Sequence, residues 1–153
     1  MRILFICHGN ICRSPMAEYI MKELVKREGV ASDWEIESAA VSREEIGNPV
    51  YPPARRKLAE YGIRSDGHHA RRIERSDYEK YDYLIGMDQS NIRNMTRIAG
   101  GDPEKKIYKL MEFTGSGRDV ADPWYTGDFE ATYRDVSEGC QALLEKLKGN
   151  LAR

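Results

Sequence analysis

Apolar residues fall along this chain in two alternating patterns, short continuous runs and longer segments with helical spacing. The runs predict strands, because apolar runs of about four to eight residues bounded by turn signals are typical of strands buried on both faces. The spaced segments predict helices, bounded by capping residues, prolines or glycines. The predicted strands cover residues 2–7, 34–41, 83–87 and 107–113. The predicted helices cover residues 15–28, 52–61 and 89–99, the last of these with Asp88 as its N-cap, and a final amphipathic segment that follows Asp128.

Strands and helices therefore alternate along the whole sequence, without internal repeats or low-complexity linkers. This alternation predicts a single α/β domain over residues 1–153, with a central parallel sheet of about four strands. Crossovers between parallel strands are right-handed, and ligands bind outside the carboxyl ends of such strands. The sequence thus places a candidate site at the end of the first strand.

The composition narrows the class of partner. Hydrophobic residues make up 41% and charged residues 32% of the chain, as in ordinary soluble domains. The formal net charge of −1 gives no reason to expect nucleic acid or a membrane as a partner, although short basic clusters occur at 55–57 and 71–72. Three cysteines, an odd number, fit a reducing compartment. No segment reaches the ~18 apolar residues of a membrane span, so we expect a cytoplasmic protein.

The most informative stretch is Cys-His-Gly-Asn-Ile-Cys-Arg-Ser-Pro at residues 7–15, between the first strand and the first helix. Gly9 and Asn10 are the residue types that enter positive φ at least cost, so the loop can curl back on itself. Ser14 is a good N-cap for the helix. A curled loop at a helix N-terminus directs several N–H groups towards one point, which suits a phosphate-sized anion. Arg13 adds a guanidinium that can hold two phosphate oxygens.

The same stretch places a nucleophile in the predicted cradle. Cys7 ends the strand beside the helix N-terminus and Arg13, and such surroundings stabilise the thiolate form of a cysteine. A thiolate that faces a bound phosphate is an activated nucleophile, so the stretch predicts phosphoryl transfer through a phosphocysteine. Ser14 is expected to hydrogen-bond the Cys7 sulfur. The predicted substrate-binding residues of the loop are His8, Gly9, Asn10, Ile11, Cys12 and Ser14.

The stretch resembles the loop of the low-molecular-weight protein tyrosine phosphatases, Cys-x-Gly-Asn-x-Cys-Arg-Ser-Pro, at every defined position. The likeness continues through residues 38–40 and 45–49, a region that flanks the phosphate cradle in relatives. The resemblance implies a flavodoxin-like sheet with helices on both faces. It also implies a phosphotyrosine-containing protein or peptide as the substrate. We expect no cofactor and no metal, since N–H groups and a guanidinium meet the charge of the anion.

A second stretch, Asp-Pro-Trp-Tyr at residues 122–125, offers the proton donor that a phenoxide leaving group needs. From the residues alone, an ordinary Asp-Pro turn with its aromatic side chains packed onto the core is the simpler interpretation. The resemblance instead implies that Asp122 is the general acid and that Trp124 and Tyr125 line the mouth of the cleft. Asp119 is a rival donor, but no proline follows it.

Two other residues have two interpretations each. By resemblance, His68 stands where the family has a histidine that braces the loop asparagine, here Asn10; alternatively, His68 and His69 both lie on a solvated loop. Cys12 could form a reversible disulfide with an oxidised Cys7, which the second cysteine of many relatives supports. It could equally be a small buried residue under the loop.

The sequence argues against other functions of the same loop. A related arsenate reductase needs further cysteines in a mobile segment, but none lies between Cys12 and Cys140, and Cys140 falls on the apolar stripe of the last helix. A non-enzymatic phosphocysteine carrier would be harmed by a general base such as Asp122. Some family members that act on phosphoarginine have threonine where this chain has Ile11, whose methyl groups favour an aromatic ring. The oligomeric state stays open, with a monomer as the default.

Overall fold

A computed structural model of the chain, which describes residues 1–151, confirms the alternation of strands and helices. Within these residues none of the helices is both long enough and apolar enough to cross a membrane. The strands are β1 (Arg2–Cys7), β2 (Glu35–Ala40), β3 (Tyr83–Gly86) and β4 (Ile107–Lys109). The helices are α1 (Arg13–Arg27), α2 (Pro52–Glu60), α3 (Asp77–Lys80), α4 (Gln89–Ala99), α5 (Pro123–Thr126) and α6 (Phe129–Leu151).

The strands form one parallel sheet in the order β2-β1-β3-β4. In the middle of the sheet, Leu4 of β1 aligns with Glu37 of β2 and with Leu84 of β3. Because β2 and β3 lie on opposite sides of β1, the strand order reverses at β1. In open parallel sheets this switch point is where ligands bind, outside the carboxyl ends of the strands. Cys7, the last residue of β1, stands at this point.

Helices cover both faces of the sheet, as expected for a flavodoxin-like domain. Successive side chains of a strand point to opposite faces. Ile3 and Phe5 of β1 therefore pack in one core with α1 and α6, whereas Leu4 and Ile6 pack in the other core with α3 and α4. All four side chains are fully buried. Burial on both faces explains why β1 is a continuous apolar run.

The first helix begins earlier than predicted. α1 starts at Arg13, so Cys12 occupies the N-cap position and Ser14 lies in the first helical turn. The prediction of Ser14 as the N-cap is wrong because its hydroxyl contacts the Cys7 sulfur at 2.9 Å instead of an open backbone N–H. Asp88 does cap α4 as predicted, and its carboxylate accepts a hydrogen bond from a backbone N–H of the first turn at 2.7 Å.

The fourth strand is shorter than the predicted 107–113. Ile107–Lys109 pair with β3, and the chain then turns into a 3₁₀ helix over Leu110–Thr114. Leu110 is fully buried and packs on Gly139 of α6, where an added Cβ atom would stand 2.5 Å from the leucine Cγ. A helix rather than the sheet thus buries this part of the apolar run, and the run alone does not distinguish the two.

Candidate active site

The loop between β1 and α1 is curled as predicted, but only one of the two expected residues has a left-handed backbone conformation. Asn10 has a φ of 60°, whereas Gly9, contrary to expectation, does not have a positive φ. Gly9 lies close to Glu45, whose Cγ would be 3.4 Å from an added Cβ atom, an ordinary contact distance. Backbone N–H groups of adjacent segments donate to carbonyl oxygens of the loop at 2.9 to 3.1 Å and hold it from outside.

The sulfur of Cys7 lies at the floor of this loop, where donors converge on it. The backbone N–H groups of Asn10 and Ser14 lie 3.3 and 3.4 Å from Sγ, and Ser14 Oγ lies 2.9 Å away. Ser14 Oγ itself accepts a hydrogen bond from Asn10 Nδ2 at 2.8 Å, so its own proton is free to point at the sulfur. Converging donors and the N-terminus of α1 both stabilise negative charge on Cys7.

Asn10 is fully buried, and its side chain is held by three neighbours. Nδ2 donates to Ser14 Oγ at 2.8 Å and to Ser38 Oγ at 2.9 Å, and Oδ1 accepts from the Arg71 N–H at 3.2 Å. Ser38 in turn donates to Glu18 Oε1 at 2.5 Å. Asn10 and Ser14, predicted as substrate-binding residues, are not among the lining residues of the cleft, and their side chains support the loop from behind. Glu18 was not recognised in the sequence, since it looks like an ordinary polar position of α1.

The two adjacent histidines lie in different environments. His68 is buried, and its Nε2 lies 2.7 Å from the carbonyl oxygen of Asn10. Nε2 carries the proton in this contact, because a carbonyl oxygen can only accept. The side chain of His69 is exposed. The side chain of His68 thus contacts the backbone carbonyl of Asn10. Of the two histidines, only His69 is exposed to solvent, as the alternative interpretation expected for both.

Arg13 is buried between two carboxylates. Its Nη1 donates to Asp88 Oδ2 at 2.7 Å and to the carbonyl oxygen of Val120 at 2.8 Å, and its Nη2 lies 3.5 Å from Asp122 Oδ2. Only 3% of Arg13 is exposed. Burial acts to lower the pKa of the guanidinium, but the Cys7 sulfur and the carboxylates of Asp88 and Asp122 raise that pKa above its usual value. Arg13 is therefore a fixed cation in the wall of the cleft.

Asp88 is a site residue that the sequence analysis missed. Its spacing predicts a helix cap and nothing more, yet one carboxylate performs two tasks. Oδ1 accepts from the Asn91 N–H at 2.7 Å, and Oδ2 accepts from Arg13. The two partners of the ion pair are 75 positions apart and meet because β1 and β3 are neighbours in the sheet. No local pattern could have indicated this contact.

Asp122 caps the short helix α5 and faces the cleft. Its Oδ1 accepts from the Trp124 N–H at 3.0 Å, while Oδ2 is the oxygen near Arg13. The side chain of Asp122 is 26% exposed. The rival Asp119 is held elsewhere, because its Oδ1 accepts from Lys109 Nζ at 3.0 Å. Of these two carboxylates only Asp122 lines the cleft.

An open cleft of about 690 Å³, which includes solvent at its mouth, lies over the loop. Trp124 and Tyr125 are 54% and 85% exposed there, and the ring of Trp124 packs on that of Tyr51 with centroids 4.9 Å apart. Glu44 and Glu45 also line the cleft, although the predicted site did not include them. The lining residues are Cys7, His8, Gly9, Ile11, Cys12, Arg13, Glu44, Glu45, Asp122, Trp124 and Tyr125.

The three cysteines are free thiols, and all are buried. Cys12 shares the cleft with Cys7, and burial together with the nearby Cys7 sulfur raises the pKa of the Cys12 thiol. A disulfide between Cys7 and Cys12 stays a prediction. Cys140 lies fully buried on α6, as predicted, and burial raises the pKa of its thiol. The described part of the chain contains no group of three side chains that could hold a metal ion.

Comparison with known proteins gives a consistent result. A family model described as low molecular weight phosphotyrosine protein phosphatase matches residues 2–153. The low molecular weight phosphotyrosine protein phosphatase of Rattus norvegicus is 38% identical over 151 residues, which cover 94% of each chain. The crystal structure of YfkJ from Bacillus subtilis superimposes with a TM-score of 0.95 at 36% identity and covers 98% of this chain and 96% of that one. A Drosophila arginine phosphatase superimposes with a TM-score of 0.89 at 30% identity, covering 97% and 98%.

Proposed function

This chain belongs to the low-molecular-weight phosphotyrosine protein phosphatase family, and we propose that it hydrolyses phosphotyrosine monoesters through a phosphocysteine formed on Cys7. One observation carries the proposal: two backbone N–H groups and Ser14 Oγ converge on the Cys7 sulfur, and Arg13 lines the same cleft. A tetrahedral oxyanion in this cleft would meet the sulfur, the remaining N–H groups of the loop and the guanidinium at once.

In the first step, the Cys7 thiolate attacks phosphorus in line with the phenolic oxygen of the substrate. The S–P bond forms, the P–O bond breaks, and its electron pair goes to the phenolic oxygen. Asp122 enters this step protonated and donates its proton to that oxygen, so tyrosine leaves as a neutral phenol. The loop amides and Arg13 hold the three equatorial oxygens, where charge is concentrated in the transition state.

In the second step, water attacks the phosphorus of the phosphocysteine. Asp122, now a carboxylate, takes a proton from this water as the new O–P bond forms. The S–P bond breaks, and its electron pair returns to Cys7 Sγ. The hydroxyl of Ser14, 2.9 Å from Sγ, stabilises the departing thiolate. Inorganic phosphate is released, with Cys7 and Asp122 back in their starting states.

The lining of the cleft favours an aromatic phosphate ester. Ile11, Trp124 and Tyr125 contribute apolar surface, while the phosphate position lies at the polar floor beside Arg13. A phenyl ring can pack on such surface while its phosphorus reaches Cys7. The methyl groups of Ile11 offer no hydrogen-bond acceptor to a guanidinium. Phosphoarginine is therefore the weaker candidate, although the fold is shared with an arginine phosphatase.

A parallel assay on three substrates tests the proposal. Peptides of identical sequence carry phosphotyrosine, phosphoserine or phosphoarginine at one position, and each is given to the wild type, Cys7→Ser and Cys140→Ala. We expect the wild type to prefer the phosphotyrosine peptide in kcat/KM. Cys7→Ser should lose turnover but still bind inorganic phosphate, since the loop amides and Arg13 remain. Cys140→Ala is the matched control, because the thiol it removes lies in the core, and it should retain activity.

The covalent intermediate has its own readout. Acid quenching of the wild type during turnover should trap one phosphoryl group on the tryptic peptide that contains Cys7. Turnover by Cys7→Ser, or a phosphoryl group trapped on another residue, would contradict the mechanism. Faster hydrolysis of the phosphoarginine peptide would agree with the phosphocysteine mechanism but would contradict phosphotyrosine as the preferred substrate.

A further inference from the structure

The cleft carries acidic side chains that the proposed chemistry does not use. Glu44 and Glu45 line it together with Asp122, whereas Arg13 is the one lining residue with a permanent positive charge. Arg13 is already paired with Asp88 at 2.7 Å. The phosphoryl charge is met at the floor of the cleft. The two glutamates are therefore placed to interact with the substrate residues that flank the phosphorylated residue.

Of the two glutamates, Glu44 is the more accessible to a bound substrate. Its side chain is 70% exposed, and Nε2 of His8 lies 3.2 Å from its carboxylate. Glu45 is half-buried, and its Oε2 accepts from Asn48 Nδ2 at 2.5 Å. Arg43, the exposed cation that precedes Glu44, is not a lining residue. In the described part of the chain, neither glutamate has a lysine or arginine nitrogen within 4.0 Å.

Exposed apolar side chains border the same mouth. Trp124 and Tyr125 line the cleft, and both are more than half exposed. Large apolar side chains exposed in this way are typical of a surface that contacts another molecule. A small phosphate ester would leave most of this surface unused. A polypeptide that extends from the phosphotyrosine would cover it.

We propose that Glu44, supported by Glu45, selects protein segments that carry lysine or arginine directly beside the phosphotyrosine. This inference rests on the proposed phosphotyrosine activity and names the substrate class. A basic neighbour is attracted to the rim and an acidic neighbour is repelled, at a place where the phosphate charge is already satisfied. Exposed ion pairs are weak, so the preference is about two- to fivefold in kcat/KM for each basic neighbour. It acts through KM, because the contact is the same in the ground and transition states.

Three phosphotyrosine peptides test this inference. They differ only in the two residues that flank the phosphotyrosine, which are both lysine, both glutamine or both glutamate. The wild type should rank lysine above glutamine above glutamate by KM, with similar kcat. Glu44→Gln should flatten this series and Glu44→Lys should invert it. The wild-type ranking should also fade as salt rises from about 0.1 M to about 1 M, since the Debye length falls from about 10 Å to about 3 Å.

Glu79→Lys is the matched control. Glu79 is exposed on α3 and does not line the cleft, so this variant changes the net charge as Glu44→Lys does but leaves the rim intact. It should keep the wild-type ranking. Equal KM values for the three peptides in the wild type, or an equal change in Glu79→Lys, would overturn the inference. If Glu44→Lys does not fold, Glu44→Gln and the salt series still decide.

Failure of this inference is distinguishable from failure of the proposed function. If the chain does not act on phosphotyrosine, none of the three peptides and no free phosphotyrosine is hydrolysed, and both proposals fall. If only the role of Glu44 is wrong, all three peptides are hydrolysed with the same KM, and the phosphoryl group is still trapped on Cys7.

Discussion

Asn10 joins three parts of the molecule through one side chain. Its backbone stands at a φ of 60°, a region that asparagine tolerates better than most residues, and its amide reaches Ser14, Ser38 and the backbone of Arg71. His68 holds its carbonyl oxygen from behind. These contacts within the protein hold the loop in its curled conformation. Donors fixed in this way stabilise developing charge without having to reorganise during the reaction.

Asp122→Asn removes the proposed proton donor and keeps the shape of the side chain. With an unactivated phenyl phosphate, we expect release of the phenol in the first turnover to slow by about 10²- to 10⁴-fold. With a 4-nitrophenyl ester the loss in this step should be much smaller, because that phenolate leaves without a proton. Rapid-quench measurements isolate this step. Asp119→Asn is the control and should behave as the wild type, and equal losses for both esters would remove Asp122 from its role.

Asp88→Asn tests whether an anchored Arg13 matters to the reaction. Asparagine is as good an N-cap as aspartate, so α4 should stay intact and the midpoint of thermal unfolding should change little. The charged partner of Arg13 Nη1 is lost, however, and misplacement of a binding group by about 1 Å can cost on the order of 10²-fold in rate. We expect kcat/KM to fall by about 10- to 100-fold and inorganic phosphate to inhibit more weakly. Unchanged inhibition by phosphate would assign Asp88 to capping alone.

At the scale of elements, packing against α6 determines where β4 ends. Leu110 leaves the sheet direction and packs onto Gly139 of α6, where no side chain stands in its way. α6 and α1 cover the same face of the sheet and share one core. The glycine in the middle of α6 is thus a packing requirement, since glycine is otherwise unfavourable within a helix.

Two glycines of α6 provide a matched pair of substitutions. Gly139→Ala places a methyl group 2.5 Å from Leu110 Cγ, and we expect a loss of about 1–3 kcal/mol in the free energy of unfolding. Gly149→Ala meets no atom within 4 Å and should be neutral or stabilise by up to about 1 kcal/mol through helix propensity. Urea unfolding curves measure both. Equal effects at the two positions would show that Leu110 does not pack as described.

At the scale of the whole molecule, β1 couples two hydrophobic cores. Its side chains alternate between the core under α1 and α6 and the core under α3 and α4. The same strand ends in Cys7, so the proposed nucleophile stands on the most buried element of the sheet. A site held by a central strand keeps its geometry better than a site held by loops alone.

Substitutions on the two faces of β1 should therefore unfold the protein in the same way. Ile3→Ala and Ile6→Ala each remove a fully buried side chain, and each should cost about 2–5 kcal/mol. We expect a single transition in both variants, with circular dichroism and tryptophan fluorescence coinciding. Two separated transitions in Ile6→Ala would indicate that the cores unfold independently.

The local patterns predicted most of the fold. Apolar runs and caps located the strands and main helices, with the start of α1 and the end of β4 as the errors. Both errors have a tertiary cause, because Ser14 turns to a sulfur on β1 and Leu110 turns to α6. The loop at 7–15 was identifiable from its residues, whereas the roles expected for Asp122 and His68 came from the family resemblance.

The sequence by itself determined the properties that depend on neighbouring residues: the alternation of elements, the Cys-to-Arg loop and the Asp-Pro stretch. Only the tertiary structure decided which distant side chains meet. Arg13 contacts Asp88, 75 positions away, and approaches Asp122, 109 positions away. Glu44 reaches the cleft because the segment after β2 lies beside the loop after β1. The physical reason is that periodicity and capping act within a few residues, whereas these contacts depend on strand order and register.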